Sequence, residues 1–160
     1  MTNQVVGPYQ GDPQLGHLST PISDSAFVRA FISWLPAHRK GMAPITRGLE
    51  IGLAHGYFLV GPEVVVGALR DFEAAPYLGG LVTAIAIVLL GTAGMGAHGL
   101  VSNKPAAEQP AGTDALKTSE GWSEMTAGFF IGGMSGAYMA YFLLTHFEEL
   151  NAIFRGFVNN

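Results

Sequence analysis

The chain has 160 residues, enough for one domain, and no cysteine, which excludes disulfides, thiol catalysis and thiolate metal sites. Its formal net charge is -4 with no basic block, so it lacks the electrostatic footprint of a nucleic-acid-binding protein. It is 49% hydrophobic and only 12% charged, with 22 glycines, a balance that suits packed membrane helices rather than a soluble domain.

The first 40 residues carry Asp12 and Asp24 and lack a basic start followed by an apolar core. They read neither as a secretory signal nor as a transit peptide, and the chain is expected to enter the membrane through its own helices. Within SDSAFVRAFISWLP, Phe27, Phe31, Trp34 and Leu35 recur at helical spacing. Ser23, Asp24 or Ser25 can cap this short helix and Pro36 stops it. Its apolar face suits either the membrane surface or a partner subunit.

Three apolar windows follow, at 45–66, 77–101 and 124–147. Each has about 20 residues or more, enough at about 1.5 Å rise to cross a hydrocarbon core of about 30 Å. The predicted fold class is therefore an all-α membrane protein with three transmembrane helices and a short amphipathic N-terminal surface helix. One domain covers 1–160: an N-terminal region 1–44, the three spans, and a tail 148–160. Pro62 removes a backbone hydrogen bond, so the first span is expected to end or kink there. The Pro- and Ala-rich stretch Ser102 to Asp114 reads as a mobile loop.

Arg29, Arg39, Lys40 and Arg47 precede or open the first span, and Lys104 and Lys117 lie between the second and third. Only Arg70 and Arg155 fall on the other side. That asymmetry places the N-terminus and the second loop on the cytoplasmic or stromal side, and the C-terminus across the membrane.

The first span carries two polar residues in RGLEIGLAHGYFLV: Glu50 and His55. Gly48, Gly52 and Gly56 repeat every four residues and share one arc of about 80°. His55 lies about 60° from the centre of that arc and Glu50 about 160° from it. The two are separated by about 140° and about 7.5 Å of rise, so they need separate partners.

A neutral imidazole offers one lone pair to a metal, and the smooth glycine groove beside it suggests room for a flat group such as chlorophyll or haem. The plain alternative is a helix-packing groove with the histidine bonded to a neighbouring carbonyl. Glu50 has three readings: an ion pair with Arg47, a proton relay, or a ligand to a hard ion such as Mg²⁺.

Gly128, Gly132 and Gly136 give the third span a close-packing face whose partner is open. His98 and His146 sit near span ends and read as surface residues, while His17 and His38 lie outside the spans. GTAGMG, Gly91 to Gly96, has no preceding strand and no following lysine, so it is not a phosphate loop. No nucleophile and base are spaced for catalysis, and the chain is not expected to be an enzyme.

Four blocks resemble one known family. They are GDPQLGHLSTPISDSAFVRAFISWLPAHRKGMAPITRGLEIGLAHGYFLVGP, GALRDFE, the second span ending HGLVS, and LKTSEGWSEMTAGFFIGGMSGAYMAYFLL. Together they closely resemble subunit XI of the photosystem I reaction centre (PsaL), in its cyanobacterial form.

The resemblance implies a non-catalytic thylakoid subunit with three spans that binds antenna chlorophyll a and contacts β-carotene. In a cell without thylakoids the membrane would be the cytoplasmic one. It also implies that Glu50 and His55 are axial ligands to the magnesium of two chlorophylls. Expected partners are the other photosystem I subunits, including the large core subunits, membrane lipids, and copies of itself around a three-fold axis.

Asp71 in GALRDFE is a candidate cation site, calcium for example, with pairing to Arg70 as the simpler account. Residues 103–115 and the tail NAIFRGFVNN match no block of the family. The competing readings are a small transporter or channel component using Glu50 as a proton or ion site, and a purely structural scaffold.

Overall fold

A computed structural model describes residues 25–73 and 75–156. The chain divides at Lys40 and Gly41 into two units. His17, Ser23 and Asp24 lie outside the described residues.

In the first unit, α1 spans Ala26–Trp34. Ser25 caps it, its hydroxyl accepting from the Val28 N–H at 3.2 Å. The far end is closed by Arg39, whose Nε and Nη2 donate to the Trp34 carbonyl at 3.1 and 2.8 Å. Phe27, Phe31 and Trp34 are all exposed. The helix is as expected, and its apolar residues have no cover among the described residues of this unit.

The second unit contains α2 (Pro44–Val66), α3 (Pro76–Ser102), α4 (Ser119–His146) and α5 (Glu148–Arg155). The first three are long and apolar enough to cross a membrane. Proline stands at the first position of α2 and of α3, where its missing N–H would have been unbonded anyway. Among the described residues all regular structure is helical, apart from a single bridge between Lys104 and Thr118.

Glycine decides how the spans meet. A Cβ on Gly48, Gly52 or Gly56 would collide with the carbonyls of Met125, Phe129 and Gly133. A Cβ on Gly128, Gly132 or Gly136 would collide with the carbonyls of Ile45, Leu49 and Leu53. The pairing advances by four residues on both helices together, so α2 and α4 run parallel. Each glycine hydrogen faces a carbonyl of the other helix, the geometry of weak Cα–H···O contacts.

α3 runs antiparallel to both. Gly80 lies against Val64, Gly133 against Val88 and Gly99 against Trp122. Val60, Val64, Leu81, Ala84, Ala137 and Ala140 form the buried cluster between the three spans. The outside is apolar as well: Phe58, Leu90, Leu100 and Val101 are exposed, as a hydrocarbon-facing surface requires.

The structure corrects the sequence expectations in several places. α2 does not end at Pro62 but continues to Val66. The hydrogen bond lost there is offset by burial of Val64 against Gly80. α4 starts at Ser119 rather than at Glu124, because Thr118 caps it, accepting from the Gly121 N–H at 3.1 Å. The polar turn Ser119–Ser123 is helical without being apolar, so hydropathy passes over it.

The second loop is not an untethered segment. Two single 3₁₀ turns shape it, and the Glu120 carboxylate accepts from the Ala106 N–H at 2.8 Å. The tail also folds. α5 has Glu148 and Glu149 in its first turn, Arg155 in its last, and Gly156 in the left-handed conformation closing it.

Candidate functional site

The glycine ladder leaves one side of α2 pressed on α4 and turns the other outward. His55 stands at the edge of the packed side, about 60° from the glycines, and is exposed. Its Nδ1 lies 2.7 Å from the Ile51 carbonyl oxygen, one turn back on the same helix. A carbonyl only accepts, so Nδ1 carries the proton. In the neutral ring that leaves the lone pair on Nε2, the atom farther from the backbone. Fixing the tautomer through the second nitrogen is how histidine ligands are prepared in known metal sites.

Phe129 of α4 packs on the ring in an edge arrangement, centroids 5.7 Å apart and planes at 63°. Ala54, His55, Phe58 and Leu59 line an open depression of about 280 Å³ at this point. The space beside His55 therefore lies away from the glycine groove. The expectation that the groove itself holds a flat group is not met, because the backbone of α4 fills it.

Glu50 is half-buried, and Arg47, one turn earlier, is buried. Glu50 and His55 stay on different sides of α2, as their spacing predicts. Asp71 is exposed, with Arg70 Nη2 at 3.5 Å from its carboxylate. Among the described residues no cluster of three or more His, Cys, Asp or Glu surrounds a metal-sized space. A lone carboxylate facing a guanidinium makes a poor cation site, so Asp71 reads as the partner of Arg70.

His98 and His146 are exposed at span ends. The His98 ring lies 5.0 Å from the Trp122 ring. The His146 ring stacks on Phe142 at 4.3 Å. His38 is exposed in the first unit.

Three groups of residues were missed from the sequence. Phe129 reads there as one apolar residue among many. Trp122 Nε1 donates to the Met95 carbonyl at 2.6 Å, locking the start of α4 to the end of α3. At the opposite end, the Tyr77 hydroxyl donates to Asn151 Oδ1, and Arg155 Nε donates to both Tyr77 Oη at 2.8 Å and Asn151 Oδ1 at 3.2 Å. This clasp ties α5 to the start of α3. Tyr77 lies 74 and 78 residues before Asn151 and Arg155, and only Arg155 four residues after Asn151 gives a local signal.

Residues 5–149 match the model of the family described as photosystem I reaction centre subunit XI (PsaL). The chain belongs to this family. It is 56% identical over 158 residues to the photosystem I reaction center subunit XI of Synechocystis sp., covering 99% of this chain and 98% of that one. It is 58% identical to the subunit XI of Trichodesmium erythraeum, covering 97% of this chain and 94% of the other. With that of Thermosynechococcus vestitus it shares 54% identity, over 99% of this chain and all of the other. For a subunit XI chain, the match ends at residue 149, so most of α5 lies beyond the family model although the full-length relatives extend across it.

Proposed function

We propose that this chain is a non-catalytic subunit of photosystem I that holds antenna chlorophyll a in the thylakoid membrane and helps join copies of the complex into trimers. A chlorophyll, when bound, supplies light absorption and passes excitation to its neighbours. The chain supplies fixed positions. His55 would hold one chlorophyll through Nε2, and Glu50, on a different side of α2, would hold another through its carboxylate. The buried guanidinium of Arg47, one turn away, compensates the negative charge of Glu50 in a low-dielectric setting.

His55 fits such a group. The ring is exposed, its tautomer is set by Ile51, and the depression beside it is open and otherwise lined by Ala54, Phe58 and Leu59. That hydrogen bond is the observation that carries the reading. A histidine kept only for packing would turn its free nitrogen to a protein partner. β-Carotene and lipid belong against the same apolar exterior. The N-terminus is assigned to the stromal or cytoplasmic side and the C-terminus to the lumen, from the six-to-two distribution of Lys and Arg.

The test is pigment analysis of the purified complex. His55→Leu is expected to remove one chlorophyll and Glu50→Gln to weaken or remove another, each with its own difference spectrum. A complex that keeps every pigment in the His55→Leu variant sinks the assignment. Loss of the same pigment in both variants sinks the two-site reading.

A further inference from the structure

α4 ends in a second histidine whose proton is held as that of His55 is. His146 Nδ1 lies 3.0 Å from the Phe142 carbonyl oxygen, one turn back on its own helix. The Thr145 hydroxyl lies 2.9 Å from the same nitrogen. That hydroxyl donates to the Tyr141 carbonyl at 2.8 Å, so toward the ring it can only accept. Both neighbours therefore require the proton on Nδ1. In the neutral ring the lone pair falls to Nε2, which has no hydrogen-bond partner among the described residues. The third histidine of the spans differs. His98 Nδ1 lies 3.3 Å from the Ser102 hydroxyl, which can donate or accept, so neither tautomer is imposed.

The surface around His146 suits a flat group with a long apolar tail. Phe142 stacks on the imidazole, centroids 4.3 Å apart and planes at 23°, and backs one face of the ring. Ile131, Ser135, Met139, Phe142 and His146 recur every three or four residues and share an arc of about 80° on α4. All five are exposed. Ser135 is the one polar member before His146, and its hydroxyl is spent on the Ile131 carbonyl at 2.8 Å. The stripe therefore offers one lone pair at its end and apolar surface along the rest.

His146 is far from His55. Gly56 meets Gly133 across the two parallel helices, and residue 146 stands about 20 Å further along the axis. One bound ring cannot serve both.

We propose that His146 is a further axial ligand, through Nε2, to the magnesium of a chlorophyll separate from those assigned to His55 and Glu50. This rests on the reading that the chain holds chlorophyll through a histidine whose proton is fixed on Nδ1. Phe142 positions the imidazole, and Met139 and Ile131 supply apolar surface beside it.

Complexes carrying His146→Leu, His98→Leu or His55→Leu are purified, and chlorophyll is counted per complex beside the low-temperature absorption difference spectrum. His146→Leu is expected to lose one chlorophyll per chain, with a difference band distinct from that of His55→Leu, and His98→Leu none. His146→Gly, measured with and without added imidazole, serves if His146→Leu fails to assemble. Imidazole is expected to restore the lost band, which a purely structural side chain does not predict. Full pigment in His146→Leu with one chlorophyll lost in His55→Leu overturns this inference and leaves the proposed function standing. Full pigment in both overturns the two together. Loss in His98→Leu also overturns it, because the fixed proton then does not select the ligands.

Discussion

Among single residues, Trp122 shows how one polar atom fixes a helix end. Its indole N–H reaches the Met95 carbonyl, and its ring occupies the space left by Gly99. Trp122→Phe removes the donor and leaves Met95 its bond from the helix, so a loss of about 1 kcal/mol is expected. A thermal shift of the detergent-solubilised complex measures it, and an unchanged midpoint would show that the bond is idle. Glu120 works in the same region by tethering Ala106. Glu120→Ala is expected to speed protease cleavage between Lys104 and Lys117 without slowing assembly. Neither role was legible in the sequence, where both residues stand in a polar stretch ahead of an apolar window. His55 was legible in part. Its spacing gave its side of α2, but nothing in the sequence gave the proton on Nδ1 or the ring of Phe129.

Between elements, the parallel pairing of α2 and α4 carries the fold. The glycine spacing on each helix was plain in the sequence and showed that something packs closely there. It did not show that the two stripes pack on each other, because a period reports a face and not its partner. The structure also separates glycines that matter from those that do not. A Cβ on Gly132 would strike the Leu49 carbonyl, whereas nothing lies within 4 Å of one on Gly94. Gly132→Ala is expected to cost about 3 kcal/mol or more and to reduce accumulation of the subunit in the membrane, since backbone cannot yield as a side-chain tip does. Gly94→Ala is expected to be silent in the same immunoblot. Similar losses in both would mean that helix flexibility, not close approach, is what glycine provides here. The hydropathy windows located α2 and α3 to within a residue. The third window missed the start of α4 at Ser119, where a capping threonine overrides composition.

In the molecule as a whole, the three spans, the ordered second loop and the docked α5 make one unit closed at both ends. Trp122 secures one end, and the Tyr77–Asn151–Arg155 clasp secures the other. Removing everything after Leu150 deletes two members of the clasp together with Phe154, which packs on Gly61. We expect that truncation to lower the trimer fraction on native gels while leaving the spans in the membrane; an unchanged fraction would place α5 outside the assembly contacts. The clasp could not be read from the chain, because its hydrogen bonds join residues on two separate elements. The glycine ladders have one more consequence. Carbonyls and glycines alternate on both rails, so α2 and α4 mesh like two racks of teeth with a pitch of four residues, about 6 Å. A slip of one, two or three residues drives a carbonyl into a side chain, and only a whole pitch restores the mesh. The pair therefore has no small sliding motion available. Glu50 and His55 ride on a frame whose register is digital.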